Sequence, residues 1–77
     1  MQENEFLRLL EEEWQIAAGT LHGAQSLKSL DAWDSLGMVT FIALVDRHFQ
    51  QALSVSRLVE CESVSDLIAL VHGKIAA

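Results

Sequence analysis

Few side chains in this sequence are equipped for covalent or acid–base chemistry, and they are scattered. Ser35 follows Asp34 where a loop-like stretch gives way to a helical pattern. Asp46 and His48 come eleven and thirteen residues later, and the one cysteine, Cys61, stands between Glu60 and Glu62. A side-chain nucleophile needs a base within hydrogen-bond reach and a group that orients the base. Ser35, His48 and Asp46 supply those types, but thirteen residues of helix at 1.5 Å each put His48 about 20 Å from Ser35. His22 has no spacing that brings it to Ser35. Together with Cys61, the three histidines His22, His48 and His72 match no zinc-ligand spacing. A single cysteine excludes an internal disulfide. Cys61 reads as a small packed hydrophobe whose acidic neighbours disfavour the thiolate. Neither catalysis nor a metal site is expected.

What remains is the pair Asp34-Ser35 itself. Either residue is a good helix N-cap, accepting a hydrogen bond from an amide that the helix leaves free. Ser35 is also placed for covalent modification, exposed at the end of a rigid element. A phosphate on its oxygen would lie near the positive end of the helix dipole, an attraction that Asp34 partly offsets.

Three amphipathic stretches must position that pair. In the first, Phe6, Leu7, Leu10, Trp14 and Ala17 share one face, and Gly19 and Thr20 end it. Residues 19–34 read as a long loop anchored by Leu21, Leu27, Leu30 and Trp33. The second helix spans Ser35 to Phe49, with Met38, Phe41, Ile42, Val45 and Phe49 as its core stripe. Its β-branched residues would also suit a strand, but fifteen residues without a turn signal is long for one. The third stretch carries Val64, Leu67, Ile68, Val71 and Ile75, preceded by a capping box of Ser63 with Asp66. A short helix capped by Ser56 and running through Val59 fits between the last two. The predicted fold is all-α: a small bundle of three long helices, a short third helix and a long first loop, with residues 1–77 as one domain.

Seventy-seven residues leave little room for a deep cleft with its own supporting shell. No run approaches the ~20 apolar residues of a membrane span, and the acidic amino terminus is no signal peptide. A cytoplasmic monomer is expected. The formal charge of −6 argues against nucleic-acid binding, which needs a basic face. Residues 1–13 hold five glutamates against Arg8, so most of that charge sits on the first helix. The run Glu11 to Glu13 is expected to be a solvated face.

Asp34-Ser35-Leu36, opening a helix that ends in Phe49, resembles the signature of acyl carrier proteins, and the helix order from Phe6 to Ile75 is similar to theirs. The resemblance implies an acyl-carrier-type four-helix bundle and a non-catalytic role. Ser35 would bear a 4′-phosphopantetheine arm, flanked by motif residues Asp34 and Leu36 and moved from coenzyme A by a phosphopantetheinyl transferase. The arm's thiol, rather than Cys61, would hold an acyl or aminoacyl group as a thioester. Loading and processing enzymes of fatty-acid, polyketide or secondary metabolism would be its partners. The Asp before Ser is closer to acyl carriers than to the usual peptidyl carriers, yet a discrete aminoacyl carrier of a nonribosomal pathway remains open. So does an unmodified helical interaction module.

Two departures stand out. Many family members have glycine two residues before the motif, where this chain has Ala32, followed by Trp33, which is expected to pack the loop against the bundle. The family's second helix often carries several acids, whereas this chain has Gly37 and Thr40 at positions expected to be exposed, and keeps mainly Asp46, beside Arg47. Leu36, Met38 and Val39 are expected to form an apolar partner-contact patch beside the arm, with Asp46 as a further contact.

Overall fold

The computed structural model describes residues 2–71. Ile75 of the last apolar stripe and His72 lie outside the described residues. Helices α1 (Glu3–Trp14), α2 (Ser35–Phe49), α3 (Val55–Leu58) and α4 (Val64–Leu70) are joined by a long first loop that contains a 3-10 turn at Leu27–Ser29. The predicted all-α bundle is what forms, and α2 has the predicted bounds. Among the described residues no helix is long and apolar enough to cross a membrane.

α1 starts with the Gln2 amide donating to Glu5 Oε1 at 3.1 Å. It stops earlier than the glycine at 19 suggests. Gln15 takes a left-handed conformation, φ 58°, its N–H reaching Glu12 O while Ile16 N–H reaches Glu11 O. Those paired bonds form a Schellman stop. Ala17 is therefore past the helix and exposed, not on its apolar face. α2 ends similarly, with Gln50 at φ 51° donating to Asp46 O.

One core cluster unites the elements: Phe6, Leu7 and Leu10 from α1, Leu21 and Leu27 from the loop, Phe41, Leu44 and Val45 from α2, Leu58 from α3, and Val64, Leu67 and Val71 around α4. Phe6 meets the Phe41 ring edge-on and lies against Phe49. Leu44, outside the predicted stripe, is fully buried, whereas Met38, Ile42 and Phe49 are half-buried at its edges. α3 begins after Ser54, two residues before the predicted cap at Ser56, and Val59 follows its last turn.

The first loop is held at two places. Near α1, Glu11 is 2% exposed rather than solvated. Its carboxylate accepts from Leu21 N–H at 2.7 Å and Gly19 N–H at 3.1 Å, and pairs with Arg8, which also donates to Leu21 O. Burial by itself would push this carboxyl's pKa up; the two amides and the guanidinium outweigh it and hold the group below its ordinary value. Near α4, Leu27 N–H donates to Glu62 O, Val64 N–H to Gln25 O, and both the amide and hydroxyl of Ser65 to Gly23 O. The capping box of Ser63 and Asp66 forms as predicted, with Asp66 also accepting from Glu62 N–H. A loop pinned through residues 19–27 can present its last residues, 31–34, at a defined place against α2.

Candidate functional site

The site is the junction of that loop with α2. Asp34 is the N-cap, its Oδ1 accepting from Gly37 N–H at 2.8 Å, which decides between the two capping candidates. Ser35 is thereby left as the first helical residue, exposed, and among the described residues its hydroxyl takes part in no hydrogen bond.

The turn is backed from three sides. Gly37 is buried, not exposed, because its Cα faces the Ala32 carbonyl so closely that a Cβ would sit 1.9 Å from the oxygen. Trp14 Nε1–H donates to Gly37 O at 3.1 Å, tying the end of α1 to the first turn of α2. Trp33 sits edge-on to both Trp14 and Phe41, packing the loop onto the core as expected. Neither the Trp14 bond nor the burial of Glu11 is among the expectations drawn from the sequence. A tryptophan closing an amphipathic helix signals a need for an N–H partner without naming it. Glu11 stands four residues after Leu7 and three before Trp14, on the buried face, and that signal was readable.

Along α2, Leu36 is 74% and Val39 57% exposed, and Ala43 is exposed on the same side. Met38, placed in the same patch from the sequence, is half-buried and packs against the core. α3, packed on α2, adds exposed Val55 and Val59. Asp46 is exposed, while the neighbouring Arg47 is paired with Glu13 of α1. The exposed side of α2 is thus apolar in its first half and carries Asp46 and Arg47 only near its end.

Because α2 is unbroken, His48 lies at the opposite end of the helix from Ser35, with Asp46 beside it rather than beside the serine. Among the described residues no three His, Cys, Asp or Glu side chains gather as metal ligands. Cys61 is half-buried, its thiol pushed up by burial and by Asp66 and Glu60.

The arrangement is that of a recipient, an accessible hydroxyl on a rigid turn that can be esterified without breaking any bond of the fold. The helix start favours a negative group near Ser35, an attraction that the Asp34 carboxylate, accepting from the Gly37 amide, partly offsets. Compared with known proteins, residues 4–71 match the family model described as a phosphopantetheine attachment site. No curated protein and no solved structure gives a significant match.

Proposed function

The chain belongs to the family of phosphopantetheine attachment domains, whose members carry 4′-phosphopantetheine covalently, and from that premise we propose that Ser35 is the attachment residue of a single carrier domain spanning residues 1–77. The observation that carries this reading is the exposed Ser35, whose hydroxyl is bonded to none of the described residues, on a turn locked by Asp34, Gly37 and Trp14. On a phosphopantetheinyl transferase, Ser35 Oγ would form a bond to the pantetheine-side phosphorus of coenzyme A as the pyrophosphate P–O bond breaks, 3′,5′-ADP leaving and the hydroxyl proton passing to a base of the transferase. Asp34 holds the first turn of α2, and Leu36 stands beside the serine where the transferase must approach. When bound, the arm supplies a terminal thiol that holds an acyl or aminoacyl group as a thioester. The chain's own task is to present that group; among the described residues the Ser35 hydroxyl meets no base, and His48 stands at the far end of α2.

We read the cargo as an acyl group and the partners as enzymes of a specialised biosynthetic pathway. Two features support this: Asp precedes Ser35, and the exposed side of α2 is apolar where strongly acidic docking helices are charged. Leu36 and Val39 are the central partner contacts, with Asp46 near the helix end and Met38 supporting them from beneath.

The deciding experiment is incubation with coenzyme A and a broad-specificity phosphopantetheinyl transferase, read by intact mass. One phosphopantetheinyl group should be gained, and none by Ser35→Ala. No gain, with a control carrier modified in parallel, would make an unmodified interaction module the better account.

A further inference from the structure

Beside Ser35 lies a groove of about 270 Å³ between the end of α1 and the start of α2. Trp14, Leu36 and Gly37 give it apolar walls, Thr40 a hydroxyl, and Glu13 and Asp34 carboxylates. Asp34 and Leu36 are the two residues that flank Ser35, so the groove lies within one residue of the serine in the chain, although Ser35 itself does not line it. No residue of α3 lines it.

Its walls are held in place before anything binds. The Trp14 indole is fixed by its bond to Gly37 O and by the Trp33 ring, and Glu13 is paired with Arg47. Rigid walls lower the ordering cost of binding. The chemistry is selective as well. Carboxylate and hydroxyl oxygens accept hydrogen bonds, and the indole and Leu36 favour an apolar body. The pantetheine portion of the arm has that complementary form: an uncharged chain with two amide N–H groups, one free hydroxyl and a pair of geminal methyls. Asp34 disfavours an anionic group deeper in the groove than the phosphodiester, while Glu13 is offset by its pairing with Arg47. The groove is also just below the usual size of ligand sites, short of room for a long acyl chain in addition. A tethered group has an effective concentration in the millimolar range, so even weak complementarity fills the site.

We propose that the pantetheine portion of an arm on Ser35 rests in this α1–α2 groove, against the Trp14 indole, whenever no partner enzyme holds it. The proposal depends on Ser35 being the attachment residue. In this resting state the thiol end stays close to the carrier, and a partner that docks on Leu36 and Val39 draws the arm out.

The test is nuclear magnetic resonance of the full chain in its apo and holo forms, with loading verified by intact mass. The Trp14 Nε1–H and Thr40 amide signals should move more on loading than those of Trp33 and residues of α3, and the geminal methyls of the arm should show nuclear Overhauser contacts to the Trp14 ring. Thr40→Arg, which fills the groove, should still gain the full mass but lose those contacts. Full mass gain in the unsubstituted chain with no contact to Trp14, or with contacts to Val55 and Val59 instead, overturns the groove and leaves the attachment reading intact. Absence of mass gain overturns both.

Discussion

Gly37 and Ala32 touch backbone to backbone across the turn that presents Ser35: a Cβ on Gly37 would lie 1.9 Å from the Ala32 carbonyl oxygen. In an ordinary helix interior, Gly→Ala gains about 1 kcal/mol. Here the sign reverses, because the obstacle is backbone that must move. Gly37→Ala should cost about 1–3 kcal/mol, the usual range for overpacking. In a domain of this size that lowers Tm by roughly 4–24 °C, at 4–8 °C per kcal/mol. Thermal unfolding followed by circular dichroism measures it; an unchanged or higher Tm would show that the turn yields freely. The same contact accounts for the missing acid at this position, since a glutamate there would displace the loop.

Glu11 gives the fold a defined acid sensitivity. Its carboxyl is held below the ordinary value of 4.5, so the ionised form is the one the folded state favours. Stability from this group is fully present above about pH 4.5 and is lost as pH falls through the depressed folded value. Glu11→Gln leaves the Leu21 and Gly19 amides poorly matched and should destabilise the chain by about 1–3 kcal/mol at pH 7. The gap between the two proteins should then narrow as the pH is lowered below 4.5. Urea denaturation across that range checks both parts, and a gap independent of pH would show that the charge is not what matters.

Much of this was legible in the residues, and the failures have physical causes. The bounds of α2 follow from Asp34 as cap and from an unbroken apolar run to Phe49. The anchors Leu21, Leu27 and Trp33 stood out as isolated apolar residues in a polar stretch. The end of α1 was misplaced because a non-glycine residue, Gln15, adopts the left-handed stop, and propensity favours glycine for it. Ser54 displaced Ser56 at the start of α3 because four-residue helices have too little periodicity to fix their register. Glu11 is expected at the surface as part of a glutamate run, although its place between Leu7 and Trp14 marks the buried face, and Gly37 by correspondence with the exposed acids of the family's second helix. The amides of Gly19 and Leu21 that satisfy Glu11, and the Ala32 carbonyl that closes over Gly37, belong to the long loop, whose path a local pattern does not contain.

Cys61 should be the slow thiol of the holo protein. Burial and the nearby Asp66 and Glu60 carboxylates push its pKa up, so little thiolate is present near neutrality. At pH 7, iodoacetamide should modify the arm first and Cys61 later, with Cys61 gaining rate as the pH is raised. Peptide mapping over a time course assigns the two sites. Faster reaction at Cys61 than at the arm would contradict the environment described for it.

Val39 offers the sharpest separation of fold from function. At 57% exposed it contributes little to the core, and a surface substitution of this kind usually changes stability by no more than about 0.5 kcal/mol. Glutamate is also at least as good a helix former as valine. Val39→Glu should therefore keep the helical spectrum and Tm of the parent. At an interface the same change sets a charge among Leu36, Ala43 and whatever apolar surface the partner brings. Truncating or charging a central contact there costs on the order of 2 kcal/mol, or roughly 30-fold in kcat/KM of the partner enzyme towards the loaded carrier. Asp46→Asn, further along α2, should have a smaller effect that fades with added salt, because an exposed charge acts through a screened field. Turnover of Val39→Glu equal to the parent with every cognate enzyme would move the docking surface off this side of α2.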